Sequence, residues 1–279
     1  MAFRMGINEV LGNNKHKFNK QFGQNFISDD NLLENIVLSS GIESGANVLE
    51  IGAGAGTLTR KLAQKAGRVV AYEIDLTLTE ILRDNLAGES NVEVRFRDFM
   101  KETEGDIAAI FDGEPFAVVA NIPYYITTPI IMKLLESNLN LTSVTVMIQK
   151  EVAERLTAKP GTADYGVITV AVDLVGNAEM KMIVDKTWFY PMPKVDSAVV
   201  RIGVERTKFD ADYNAVMKTV KGAFAMRRKT LVNNLAGIGV GKERATRLLE
   251  KMGLDERIRG ERLTTEQFIT LTGLIKENN

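Results

Sequence analysis

The 279-residue sequence contains no cysteine. That excludes disulfides, zinc ribbons, iron–sulfur clusters and thiol nucleophiles together. Histidine is nearly missing as well: His16 stands alone, so neither a histidine-based triad nor a multi-histidine metal site is expected. Any chemistry falls to carboxylates, amides, aromatic rings and backbone groups. No apolar run approaches the roughly 20 residues that cross a bilayer. Residues 1–10 lack the continuous apolar core and small-residue cleavage site of a secretory signal. The expectation is a soluble, cytoplasmic monomer with no metal and no membrane partner. A hydrophobic fraction of 45 % with 25 % charged residues fits a globular fold, and a chain of this length can bury a large core without covalent staples.

The net charge of −1 argues little by itself, but its distribution is uneven. Residues 1–26 carry Arg4, Lys15, Lys17 and Lys20 against Glu9, a net of +3. Residues 204–279 carry 15 Lys/Arg against 10 Asp/Glu, a net of +5, which leaves −9 for the middle. Basic ends around an acidic middle suit a small-molecule pocket framed by nucleic-acid contacts. Solvated surface charge would give the same count.

Residues 1–20 read as a basic, mobile N-terminal segment. Ser28-Asp29-Asp30 then marks a helix start with acids in its first turn, and Leu32, Leu33, Ile36 and Val37 give that helix an apolar face. From residue 47 to about 204, strand-like and helix-like segments alternate. Strands are predicted at 48–51, 68–74, 92–97, 116–120, 143–148, 166–175 and 198–204. Helices are predicted at 58–65, 76–86 and from Thr128-Pro129, read as N-cap and first helical residue, to about 137. Such alternation predicts an α/β domain with a parallel sheet over 21–204. After 204 the spacing of Tyr213, Val216, Met217, Val220 and Phe224 is helical. Residues 243–252 are helical again, and Thr264 with Gln267 forms a capping box before Phe268, Leu271 and Leu274. A small all-helical domain is therefore predicted over 207–279.

Glu50-Ile51-Gly52-Ala53-Gly54-Ala55-Gly56 follows a predicted strand and precedes a predicted helix. Glycines there let the backbone turn sharply and approach a ligand closely. Glu73 lies 19 residues after Gly54, where an acid accepts from ribose hydroxyls in nucleotide-binding folds. The ligand is a dinucleotide or S-adenosylmethionine. The G-x-G-x-G spacing favours the second over a bound pyrophosphate. So does Asp98, which ends the third strand and is placed to accept from an adenine amine.

Asn121-Ile122-Pro123-Tyr124 ends the fourth strand, and the carboxyl ends of parallel strands bind ligands. An adenine amine is a poor nucleophile because its lone pair is delocalised into the ring. The Asn121 oxygen and a backbone carbonyl next to Pro123 can each accept one amine hydrogen. That holds the nitrogen in place and frees its lone pair to attack a methyl group, which is catalysis by orientation. Tyr124 is suited to stack on a base taken out of its helix, worth about 1–3 kcal/mol.

Residues 121–124 resemble the [ND]-[IL]-P-Y motif of amino methyltransferases. Four further stretches are similar to the ribosomal RNA adenine N6,N6-dimethyltransferases: Gln21-Phe22-Gly23-Gln24-Asn25-Phe26, residues 149–156, residues 189–198 and Phe224-Ala225-Met226-Arg227-Arg228-Lys229-Thr230. Residues 149–156 and 224–230 favour the branch that acts on 16S rRNA of the small (30S) ribosomal subunit. The resemblance implies a Rossmann-like methyltransferase that uses S-adenosylmethionine and dimethylates two adjacent adenosines near the 3′ end of that RNA, late in subunit assembly. It implies that Asn25, Ile27, Gly52, Gly54, Glu73, Asp98 and Asn121 surround the cofactor. Asn121, Pro123 and Tyr124 then form the reaction site, with Phe189 covering the other face of the base. Arg227, Arg228 and Lys229 become phosphate contacts. Two other functions remain open: a resistance-type enzyme acting on large-subunit RNA, and an RNA-binding assembly or transcription factor without catalysis. Tyr125 departs from the pattern, since many relatives carry Asn there.

Overall fold

The computed structural model describes residues 24–277. The 1–20 segment and Gln21-Phe22-Gly23, with His16, lie outside the described residues. The chain divides into two compact units. The first takes the described residues up to Ala153 together with Glu179–Val204. The second takes Glu154–Ala178 and the described residues from Glu205 onward.

The first unit is built on a seven-stranded sheet of order β3-β2-β1-β4-β5-β7-β6. Its strands are β1 (Asn47–Ile51), β2 (Arg68–Glu73), β3 (Val92–Phe96), β4 (Phe116–Asn121), β5 (Leu141–Gln149), β6 (Gly176–Val184) and β7 (Ser197–Val204). β1 to β5 pair in parallel, whereas β7 runs antiparallel to β5, with Val146 opposite Val200. The sheet is therefore mixed, not purely parallel as the alternation predicted. Sequence alternation reports that a strand exists but not its direction.

β4 is apolar and buried from Phe116 to Ala120, with only the terminal Asn121 polar, the pattern of a central strand covered on both faces. Helix α1 (Asp30–Ser40) precedes β1, and α2 (Thr57–Ala63), α3 (Thr79–Asn85), α4 (Glu104–Ala108) and α5 (Thr127–Glu136) join the strands. Asp29 caps α1 as expected, accepting from the Leu32 N–H at 2.8 Å. Thr128 is not a cap. A 3₁₀ turn, Tyr124–Ile126, leads directly into α5, whose first residue, Thr127, comes two residues before the expected Pro129. Pro129 still falls in the first turn, where a missing N–H leaves no hydrogen bond unmade.

β6 was not foreseen. Its burial alternates along the strand, and Met182 and Val184 pack into the core. A short helix, α6 (Lys150–Leu156), follows β5.

In the second unit, residues 167–175 form a helix, α7 (Val167–Val175), not the strand predicted at 166–175. A short run that is apolar all round fits either form by periodicity. Here tertiary burial decides it: seven of its nine residues are buried. Thr169 Oγ1 accepts from the Gly166 N–H and donates to the Arg155 carbonyl, tying the helix start to α6. Residues 154–178 cluster with the C-terminal helices and not with the sheet, where the 21–204 expectation put them: the Tyr165 hydroxyl donates to the Leu263 carbonyl at 2.9 Å, and Lys208 Nζ donates to the Asp173 and Gly176 carbonyls at 3.1 and 3.0 Å. The remaining helices are α8 (Tyr213–Ala223), α9 (Leu231–Ala236), α10 (Lys242–Lys251) and α11 (Thr265–Glu277). The Thr264/Gln267 capping box is present in both directions, at 2.9 and 3.3 Å.

Candidate active site

A cleft opens at the carboxyl ends of β1 to β4. It is lined by Asn25, Ile27, Gly52, Gly54, Glu73, Asp98, Asn121, Pro123 and Tyr124, among others. Nearly all residues assigned to the cofactor and reaction site from the sequence thus meet in one place.

The glycine turn follows β1. Gly52 and Gly54 have φ of 86° and 58°, where a side chain is strained. A Cβ on Gly52 would stand 3.6 Å from the Asn121 carbonyl oxygen and 3.8 Å from Pro123 Cδ. The turn and the Asn121 strand end are therefore neighbours. Gly52 and Ala53 both donate to the Tyr72 carbonyl, at 2.8 and 2.9 Å, which anchors the turn to β2.

Glu73 ends β2 and is 6 % exposed. Its Oε1 accepts from the Ile74 and Asp75 N–H groups and its Oε2 from Gly54, all at 2.8 Å. Burial raises its carboxyl above the usual range; the three backbone donors oppose this and nearby Asp75 adds to it. Oε2 takes one of these bonds, so it keeps acceptor capacity for a ribose hydroxyl. Asp98 Oδ1 caps the next turn by accepting from the Met100 N–H at 2.9 Å. Asp98 also lines the cleft. Lys133 from α5 holds this loop, donating to the Met100 and Glu102 carbonyls at 3.1 and 2.6 Å.

Asn121 Nδ2 donates to the Asn25 carbonyl at 3.2 Å. That bond fixes the amide by its nitrogen and leaves Oδ1 available as an acceptor. Pro123 offers its own carbonyl to Thr127 Oγ1 and to the Ile126 N–H, both at 3.2 Å. The main-chain acceptor next to Pro123 is accordingly the Ile122 carbonyl. Tyr124 is half-buried, and its hydroxyl shares a 2.7 Å hydrogen bond with buried Ser197. Burial raises its phenol above the ordinary value, so the ring is neutral and held at its far end. Tyr125 also lines the cleft and is 59 % exposed.

The structure differs at Phe189. Its side chain is 2 % exposed and sits in the core with Ile27, Leu33, Ile36, Met147 and Val199; it is not part of the cleft wall. The adjoining chain is pinned instead by its backbone. Phe26 and Tyr190 exchange two N–H···O bonds of 2.9 Å, and the Phe26 ring lies 3.4 Å from where a Gly54 Cβ would be. Phe189 is buried beside this bridge, in the apolar core.

Glu50 is a cleft residue to which the sequence assigns no role. It lines the cleft and is 1 % exposed. An acid inside an otherwise apolar strand was the available signal. Arg227, Arg228 and Lys229 lie in the second unit, in the turn between α8 and α9, and are exposed. Arg227 Nη2 donates to the Ala163 carbonyl. The buried Asn234 amide braces this turn by donating to the Ala223 and Met226 carbonyls at 2.6 and 3.1 Å. Among the described residues no group of three His, Cys, Asp or Glu could hold a metal ion, and no helix is long and apolar enough to cross a membrane.

A strand-end glycine turn, acids after β2 and β3, and an Asn-x-Pro-Tyr corner after β4 define a Rossmann-like S-adenosylmethionine-dependent methyltransferase. Residues 15–277 match the family model described as ribosomal RNA adenine dimethylase. The chain belongs to that family, and its methyl donor is S-adenosylmethionine. It is 41 % identical over 271 residues to ribosomal RNA small subunit methyltransferase A of Clostridioides difficile, covering 96 % of this chain and 94 % of that one. The same-named protein of Alkaliphilus metalliredigens is 45 % identical over 264 residues, with 92 % of each chain covered. Among solved structures, a dimethyladenosine transferase from Plasmodium falciparum superposes with a TM-score of 0.75 at 27 % identity, over 91 % of this chain and 97 % of that one. The 23S rRNA methyltransferase ErmE gives 0.70 at 30 %, over 90 % and 100 %.

Proposed function

We propose that this protein dimethylates the N6 amine of two adjacent adenosines near the 3′ end of 16S rRNA in the small (30S) ribosomal subunit, late in its assembly. The observation that carries the chemistry is the Asn121 amide, tethered by Nδ2 to the Asn25 carbonyl and set beside the Gly52 turn. With its nitrogen committed, the Asn121 Oδ1 accepts one hydrogen of the target amine and the Ile122 carbonyl accepts the other. The amine is held with its lone pair directed at the methyl group. No strong base is needed before transfer: as the N–C bond forms the S–C bond would break, S-adenosylhomocysteine leaves, and the proton of the now positively charged nitrogen passes to solvent. Pro123 fixes the backbone between the two acceptors. Tyr124 stacks on the flipped base, with its ring held by Ser197. Bound S-adenosylmethionine supplies the electrophilic methyl. Asn25, Ile27, Gly52, Gly54, Glu73 and Asp98 hold it.

The helical unit, residues 207–279 with 154–178, contributes RNA contacts through Arg227, Arg228 and Lys229. The protein acts as a cytoplasmic monomer. The small-subunit reading is supported by the names of the relatives above 40 % identity. Incubation with labelled S-adenosylmethionine and undermethylated small subunits should place four methyls per subunit, on two neighbouring adenosines. Absence of transfer to any ribosomal RNA would refute the proposal.

The likeness to ErmE supports a second reading, methylation of large-subunit RNA. Expression in a macrolide-sensitive host separates the two: the small-subunit reading expects unchanged sensitivity.

A further inference from the structure

Lys133 lies outside the wall of the cleft, yet it is bonded to the turn that carries Asp98. It stands on α5, whose residues Ile130, Ile131, Leu134 and Leu135 are buried. That packing makes the helix a fixed support, and α5 is fixed at its start too, since it follows the Tyr124–Ile126 turn directly. The turn that Lys133 reaches, Phe99–Lys101, is three residues of 3₁₀ helix, a form with weak hydrogen-bond geometry. Asp98 Oδ1 caps it by accepting from the Met100 N–H. The Lys101 N–H donates to the Asp98 carbonyl at 3.0 Å and the Glu102 N–H to the Phe99 carbonyl at 3.2 Å. None of these bonds uses the Met100 and Glu102 carbonyls. Lys133 Nζ donates to both, at 3.1 and 2.6 Å. It also stands 5.8 Å from the centre of the Phe99 ring, within reach of a cation–π contact. Phe99 in turn meets Tyr72 edge-on, with ring centres 5.5 Å apart. One ammonium group therefore holds the turn at three points from behind. Asp98, Phe99 and Met100 line the cleft on the other side.

We propose that Lys133 is a positioning residue for adenine selection: it holds Asp98 where the second carboxyl oxygen meets the exocyclic amine of the cofactor. The inference rests on reading the cleft as the cofactor site and Asp98 as the adenine partner. With Oδ1 committed to the Met100 N–H, the direction of the other Asp98 oxygen follows the turn, and the turn follows Lys133. A carboxylate accepts hydrogen bonds and donates none. It therefore favours a purine with an amine at C6 over one with only hydrogen there, which would leave the carboxylate unpaired. That preference lasts only while the carboxylate is held at the amine. Without the ammonium, the Met100 and Glu102 carbonyls lose their donor, the turn shifts to find others, and Asp98 shifts with it. Lys133 touches neither cofactor nor substrate in this account; it acts through the Asp98 turn.

Titration calorimetry of the full chain with two ligands tests this: S-adenosylhomocysteine, and its analogue with hydrogen in place of the adenine amine. The unaltered protein should prefer the first on the order of tenfold or more, the worth of a hydrogen bond to a charged group. Lys133→Met should weaken S-adenosylhomocysteine by about that factor and the analogue far less, so the preference disappears. The KM for S-adenosylmethionine should rise in step, while kcat at saturating cofactor holds. In an Asp98→Ala background, Lys133→Met should change neither affinity further, because both substitutions remove the same contact. A lysine that only stabilises the fold predicts something else: a lower melting temperature with the preference intact. That result overturns the proposal, as does an equal loss for both ligands, or a full further loss in the Asp98→Ala background. If Lys133→Met does not fold, Lys133→Gln, which keeps a donor but not the charge, goes through the same cycle and is judged by the same outcomes. Failure of the underlying reading looks different. No preference in the unaltered protein, or full preference in Asp98→Ala, overturns the assignment of Asp98 to adenine itself.

Discussion

Replacing Glu50 with glutamine should stabilise the folded chain, and by more as pH rises. In the unfolded chain this carboxyl titrates near its ordinary value of 4.5; in the fold burial pushes it up to about 8. A raised folded value means that the native state binds the extra proton. The stability contributed is complete below pH 4.5 and is lost as pH rises through 8. The loss is about 1.4 kcal/mol per pH unit within that window, hence on the order of 3 kcal/mol by pH 7. Glutamine does not titrate, so the variant escapes the loss. A constant offset from swapping hydroxyl for amide shifts both ends of the comparison equally and leaves the slope intact. Urea denaturation of both proteins between pH 5 and 9, without cofactor, measures it. The difference should widen through pH 5–8 and then level off. Parallel curves would refute the claim that Glu50 is neutral in the native protein.

Other substitutions separate the roles of neighbouring groups. Asn121→Ala removes an acceptor that acts on the reacting amine and should lower methyl transfer on the order of 100-fold, as loss of an oriented polar group does elsewhere; single-turnover transfer to small subunits checks it. Gly52→Ala forces a side chain into φ 86° beside the Asn121 carbonyl and should cost roughly 1–2 kcal/mol of stability as well as cofactor affinity, both measurable by thermal shift. Phe189→Ala should cost about 3–5 kcal/mol of stability as a core truncation, with Phe189→Leu restoring most of it; full stability with abolished transfer would instead return this ring to the reaction site. Subunit binding should weaken steeply with salt, and Arg228→Ala or Lys229→Ala should each lower the slope of log K against log salt by about 1; unchanged slopes would remove these residues from the RNA contact.

Much of this arrangement was legible in the sequence, for physical reasons that differ by element. The glycine turn was readable because its backbone needs positive φ at Gly52 and Gly54. The Asn121–Pro123 corner was readable because proline punctuates a strand end. Thr264 and Gln267 were readable because a capping box is local chemistry. What failed depends on distant parts of the chain. The apolar run 167–175 carries no period that separates helix from strand, and burial within the helical unit settles it. The direction of β7 is set by the path the chain takes through β6, which lies between α7 and β7 in sequence. Phe189 sits in a loop whose backbone is bonded to Phe26, and no sequence pattern tells which side of that loop faces the core. Glu50 was visible as an acid in an apolar strand, but its unpartnered oxygen is a property of the folded cleft.

The central claim is that the Asn121 corner delivers methyl groups to adenine N6. Mass spectrometry of nucleotides from undermethylated small subunits, after incubation with cofactor and either the unaltered protein or Asn121→Ala, tests it most directly. Two adjacent N6,N6-dimethyladenosines near the 3′ end of 16S rRNA should form with the unaltered protein and be nearly absent with the variant. Modification at another atom or another base, or equal modification by the variant, would contradict the account.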